Sequence, residues 1–157
     1  YALKMAKENN VTTILNPAPA AKLDKEIFSL IDYFTPNETE ASFYVNHDVI
    51  TYEDAEKAAS QLLDKGIKNV VITLGEKGAY FANSEEKFSL PIANLSNPVV
   101  DTTGAGDAFN AGLAAALTEG QNIKDSLIFA SATAGLSTTK IGTANSMPSR
   151  EEIDRIL

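Results

Sequence analysis

The sequence of 157 residues contains no cysteine. Thiol nucleophiles, disulfides and thiolate metal sites are thereby excluded. Histidine occurs once, as His47, among polar neighbours where a surface position is expected. No basic run is found, and the formal net charge is −8. Nucleic acid and anionic membrane surfaces are poor partners for such a chain. No signal peptide is visible, and no apolar run approaches the length needed to span a bilayer. Repeats, low-complexity tracts and interdomain linkers are missing as well. What is there is ordinary for a globular protein: 44% hydrophobic and 22% charged residues. Length and composition suit one compact domain with a single core, compatible with a reducing cytoplasm. Tyr1 to Ala6 reads as the middle of a helix, with no initiator Met and no cap, so a piece of a longer protein is expected.

Periodicity alternates between two types along the chain. Val11 to Leu15 is a β-branched run that stops at Asn16-Pro17 and reads as a strand. Leu23, Ile27, Leu30 and Ile31 give a short helical stripe, and Tyr33 to Thr35 a brief strand stopped by Pro36. Ala55, Ala58, Ala59, Leu62 and Leu63 have the spacing of an amphipathic helix, which Gly66 ends. Val70 to Leu74 is continuously apolar, as in a strand covered on both faces of a parallel sheet. Ala79 to Ala82 and Lys87 to Ile92 read as a hairpin, and Val99-Val100 as the end of a last strand. Helices are predicted from Gly104, from Ile123 to about Thr138, and from Arg150 to Leu157. Strands alternating with helices predict a layered α/β domain.

The most informative segment is Asp101-Thr-Thr-Gly-Ala-Gly-Asp-Ala-Phe-Asn110. Glycine weakens a helix interior by about 1 kcal/mol relative to alanine. Gly104 and Gly106, flanking Ala105 where a strand hands over to a helix, therefore suggest a close approach of the backbone to a ligand. The first N–H groups of a helix lack intrahelical partners and carry partial positive charge, which suits phosphate. Asp107 in that first turn could take a proton from an attacking hydroxyl. A tight turn, with Asp107 only complementing the helix dipole, explains the local pattern equally well. The dinucleotide fingerprint fails at Phe109, where it needs a third small residue, and the Gly-Lys-Ser/Thr of a P-loop is missing.

Other segments carry paired readings too. Asn37 with Glu40 has the spacing of a capping box; Glu40 could also accept from water on Mg²⁺, with Asn37 near phosphates. Thr73, Leu74, Gly75, Glu76, Lys77 and Gly78 follow the buried strand at its carboxyl end, where ligands gather in open α/β sheets. Gly75 and Gly78 could admit a nucleotide and Lys77 could offset phosphate charge, or the segment is a plain turn. Ser131, Ala132, Ala134 and Gly135 form a small helix face, fit for close helix packing or a flat slot for a base. The loop from Lys140 to Ser146 could offer carbonyls to a monovalent cation, or be only a loop.

Taken in order, these segments resemble the ribokinase-like carbohydrate kinase family. DTTGAGDAFNAG is similar to that family's second signature. Asn16-Pro-Ala-Pro-Ala20, Pro36-Asn-Glu-Thr-Glu-Ala41, ITLGEKGAYF and the closing Gly142, Ser146 and Pro148 extend the likeness over nearly the whole chain. The resemblance implies a doubly wound sheet with helices on both faces, of which residues 1–157 would be the carboxyl-terminal part. It implies ATP-dependent phosphorylation of a sugar hydroxyl, with ribose as the leading substrate and ribose 5-phosphate as product. Asp107 would be the base, and the N–H groups of Gly104, Ala105, Gly106 and Asp107 the anion hole. Asn37, Thr73 to Gly78 and Ser131 would line the ATP site, and Glu40 would organise the Mg²⁺ waters. Asp101, Thr103, Ser137, Lys140, Gly142 and Ser146 would surround an activating K⁺, mostly through carbonyls.

The family's amino-terminal half, with the lid, most sugar contacts and the central strands, would lie outside this sequence. Through that lid the full-length protein would be a homodimer, and the chain alone would be inactive. Ser131 departs from the bulkier polar residue that some members carry. The rivals are another sugar or nucleoside kinase of the family (acting on fructose or a keto-deoxy sugar acid), a nucleotide-binding module without catalysis, and a Rossmann-like dehydrogenase domain.

Overall fold

The computed structural model describes all residues from Tyr1 to Leu157. The chain divides into two compact units, Tyr1–Ser89 and Leu90–Leu157. The sequence reading expects one core; each unit has its own buried cluster. The division is hard to see in advance because residues 91–104 carry no Gly/Ser-rich or charged linker, only a stretch without regular structure.

The first unit is built on a mixed sheet of five strands in the order β1-β2-β3-β4-β5. These are β1 (Ile14–Leu15), β2 (Tyr33–Phe34), β3 (Asn69–Thr73), β4 (Ala79–Ala82) and β5 (Lys87–Leu90). β1, β2 and β3 run parallel, with Leu15 opposite Phe34 and Phe34 opposite Val70; β4 returns antiparallel to β3. Val70, Val71 and Ile72 are completely buried, as the unbroken apolar run predicts. The helices are α1 (Ala2–Glu8), α2 (Lys25–Phe28), α3 (Glu38–Val45) and α4 (Tyr52–Leu63). Ala55, Ala58, Ala59 and Leu62 of α4 all lie fully inside. A capping box between Thr51 and Asp54 starts that helix, and Gly66 at φ +102° turns the chain after it. Phe34, Phe28 and Tyr44 pack edge to face with centroids 5.3–6.4 Å apart, and the Tyr44 hydroxyl donates to the Ala21 carbonyl. Burial of a side chain such as Phe34 contributes about 1.5–3 kcal/mol.

Several elements are shorter than the sequence suggests. The Val11–Leu15 run yields only a two-residue strand. The Val11 N–H closes α1 on Ala6, and the Thr13 N–H goes to the Asp32 carboxylate. Burial alone would raise the Asp32 pKa, but donors from Lys68 and Thr13 prevail and hold it below the ordinary carboxylate value. The stripe from Leu23 to Ile31 forms a single helical turn. Pro91 stops β5 at Leu90. His47 is half-buried and not on the open surface; its Nδ1 lies 3.0 Å from the Asp48 carbonyl and its buried Nε2 has no partner.

The second unit holds α5 (Ala105–Thr118), α6 (Ile123–Ser137) and α7 (Arg150–Asp154). Leu113, Ala116, Leu127 and Ala130 are fully buried between the first two. A Cβ at Gly112 would stand 2.7 Å from Thr133 Oγ1 and 2.9 Å from Ala130 Cα, so only glycine admits this approach. Phe129, Ala132 and Ile153 continue the core, and Arg150 lies over the Phe129 ring. The strand expected at Val99-Val100 does not form. Both side chains are exposed, and the N–H groups of Val100 and Asp101 converge on the one carbonyl of Thr138.

Candidate active site

The candidate residues fall into two groups, one in each unit. In the first unit they gather at the carboxyl ends of β2 and β3. The Thr73 N–H donates to the Pro36 carbonyl at 3.0 Å, and Asn37 and Thr73 form an isolated parallel bridge. Asn37 caps α3: its Oδ1 accepts from Glu40 N–H, and Glu40 Oε2 accepts from Asn37 N–H, both at 2.8 Å. The capping reading of this pair is therefore correct as geometry. Glu40 is buried, and its Oε1 stays outside the cap pair.

Beyond Thr73 the chain makes a tight 3₁₀ turn over Gly75–Lys77. Leu74 N–H donates to Gly78 O at 2.8 Å, closing it. Gly78 at φ +97°, ψ −130° sits where only glycine is comfortable. Gly75, Glu76 and Lys77 are exposed at the tip. Lys77 differs from expectation, since its ammonium donates to the Ile50 carbonyl at 2.8 Å. Its own carbonyl accepts the Tyr52 hydroxyl. Neither Ile50 nor Tyr52 is marked in the sequence, because the contacts bridge more than twenty residues.

In the second unit the Asp101–Asn110 segment folds as a turn into α5. Gly104 is the N-cap in the left-handed region at φ +80°. No side chain caps this end. Ala105 N–H donates to the Thr102 carbonyl and Ala108 N–H to Gly104, while Gly104, Gly106 and Asp107 N–H have no backbone partner. Of the four expected donors, Ala105 is thus already engaged. Asp107 stands exposed in the first turn. Gly104 and Gly106 differ in kind. A Cβ on Gly104 would come within 3.1 Å of the Thr143 side chain, whereas a Cβ on Gly106 would meet nothing within 4 Å.

The loop from Lys140 to Ser146 is fastened beside this turn. Asp101 accepts the Gly142 N–H on Oδ2 at 3.0 Å and the Thr103 N–H on Oδ1 at 2.9 Å. The Gly142 bond first, then those from Thr103, bring the Asp101 pKa down to about 2. Ser137 and Ser146 are buried, and their hydroxyls donate to the carbonyls of Ala134 and Thr143. Lys140 turns its ammonium to Glu152 at 2.9 Å. Asp101, Thr103, Gly104 and Gly142 are thereby brought together, whereas the Lys140 head group points elsewhere. Ser131 is half-buried on α6. Of the small face around it, Gly135 is covered by Leu95 and Ala93, which favours the packing reading there.

A mixed sheet flanked by helices in the first unit and a helical second unit define an α/β protein. Residues 1–150 match the model of the pfkB family carbohydrate kinases, and the chain belongs to that family. It is 44% identical over 151 residues to a ribokinase of Haemophilus influenzae, covering 96% of this chain and 49% of the relative. It is 35% identical to a deoxyribokinase of Salmonella typhi, covering 100% of this chain and 51% of the relative. Its fold is similar to half of a ribokinase of Arabidopsis thaliana solved with ribose and ATP, at 33% identity and a TM-score of 0.90, covering 98% of this chain and 50% of that one. The chain spans about half the length of the curated relatives it matches. No helix is long and apolar enough to cross a membrane.

Proposed function

We propose that this chain forms the ATP-handling and base-bearing part of a sugar kinase that transfers the γ-phosphoryl group of ATP to a hydroxyl of ribose, giving ribose 5-phosphate. The observation that carries the reading is the start of α5. Gly106 has no packing reason to be glycine, yet stands among open N–H donors one residue before an exposed carboxylate. Such an arrangement admits a phosphate closely and stabilises charge that develops on it. Asp107 would accept the proton of the attacking hydroxyl, and the N–H groups of Gly104, Gly106 and Asp107 would hold the transferring group. Phosphoryl transfer asks little more of a protein than positioning and charge stabilisation.

Asn37 and the Thr73–Gly78 turn would hold ATP. Mg²⁺ would neutralise phosphate charge; the Oε1 of Glu40, left outside the cap pair, fits an acceptor for its bound water. Asp101, Thr103, Ser137, Lys140, Gly142 and Ser146 would hold an activating K⁺, mostly through carbonyl oxygens, a ligand type that suits a hard cation. The whole protein would act in the cytoplasm as a homodimer. The likeness to a deoxyribokinase supports 2-deoxyribose as the second reading.

In the whole kinase, Asp107→Asn should lower turnover by at least ~10²-fold and leave the ATP Kd within a few-fold, since it removes a proton acceptor and no nucleotide contact. Turnover near wild type would return Asp107 to the role of dipole partner. Comparing kcat/KM for ribose and 2-deoxyribose decides between the two sugars.

A further inference from the structure

The turn after β3 is held from outside by two bonds of opposite polarity, both made by Lys77. Its side-chain ammonium reaches the Ile50 carbonyl, and its main-chain carbonyl receives the phenol of Tyr52. The anchor is itself rigid. The Asp54 carboxylate accepts the N–H groups of Ile50 and Thr51 and the Thr51 hydroxyl. Tyr52 opens α4, and its ring packs against the core of the first unit. The turn needs such an anchor, because Gly75 and Gly78 both sit at positive φ and its tip is exposed. Glycines that can adopt this shape can also leave it at little cost.

We propose that Tyr52 is a positioning residue which, with Lys77, clamps the Thr73–Gly78 turn in the shape that receives the nucleotide. The inference rests on the reading of that turn as part of the ATP site. It reassigns Lys77: the ammonium serves the start of α4 and not the phosphates. Tyr52 touches no substrate in this scheme and acts only through the turn.

The test uses the whole kinase with Tyr52→Phe, Lys77→Met and the double variant. Amide exchange is followed at Leu74, Lys77 and Gly78, whose N–H groups close the turn, with Val70 to Ile72 of β3 as the internal reference. Loss of one such bond should speed exchange at the turn about three- to tenfold and leave the reference unchanged. Tyr52→Phe should raise the KM for ATP by a similar factor with kcat within about twofold. The double variant should be little worse than the worse single one, because both substitutions open one clamp. Unchanged exchange at the turn overturns the clamp. Losses of ATP affinity that add, with Lys77→Met leaving exchange unaltered, overturn it as well and return Lys77 to the phosphates. Faster exchange with an unchanged KM overturns the link to the nucleotide. If instead wild-type protein binds no ATP while Tyr52→Phe still loosens the turn, the ATP-site reading falls and the clamp stands.

Discussion

Gly104 stands at φ +80° with Thr143 against it, while Gly106, two residues on, faces open space. The sequence writes both as glycine, and only the folded backbone separates a residue required by conformation from one required by something else. Gly104→Ala should lower the thermal midpoint, since a side chain at that φ is strained and meets Thr143. Gly106→Ala should leave stability unchanged or raise it by up to about 1 kcal/mol of helix preference. Gly106→Val in the whole kinase should cut turnover by ~10²-fold by crowding the phosphate and misplacing donors. A Gly106→Val protein of normal turnover and reduced stability would assign both glycines to packing.

At the level of elements, the proposed site would place two demands on a single carboxylate of α3. Glu40 closes the capping box with one oxygen and leaves the other outside it. Glu40→Gln preserves the hydrogen bond and removes the charge. Stability should fall by less than ~1 kcal/mol, the usual size of a dipole contribution. The Mg²⁺ concentration for half-maximal activity should rise severalfold. If the Mg²⁺ titration of the variant overlays that of wild type, Glu40 is a cap and nothing more.

The same helix shows what was legible beforehand. Its capping box follows from three residues of spacing, as do the buried stripe of α4 and the apolar run of β3. The start of α5 was legible too, because glycines at a helix entrance oppose local propensity. What spacing could not disclose were partners far apart in sequence. Thr143 behind Gly104, Thr133 against Gly112 and Tyr52 over Lys77 each depend on how whole elements stack. The expected strand at Val99-Val100 fails for a related reason. β-branched residues signal a strand only where a neighbouring strand offers a ladder, and here the N–H groups find the end of a helix instead.

For the molecule as a whole, one exposed irregular segment at the start of the second unit decides where the chain is cut first. Ser96 to Val100 is exposed and lacks regular structure, while Ala93 and Leu95 on one side lie against Gly135 and Val100 on the other is held by Thr138. Limited proteolysis with an elastase-type enzyme should therefore cleave first near Val99, giving two products that mass spectrometry assigns to the residues before and after that point. First cleavage within 40–80 would show that the sheet of the first unit opens more readily than this segment.

The contrast between Gly106 and its fellow glycines also bears on ancestry. Gly112 is pinned by Thr133 and Gly104 by Thr143, so purifying selection for folding alone suffices to keep both. Nothing of that sort guards Gly106. In a duplicated copy released from the proposed chemical duty, position 106 is where drift should register first, with alanine entering at no thermodynamic loss. Under the proposed role of this helix start, a lineage that still carries glycine there would be one that keeps the start in use.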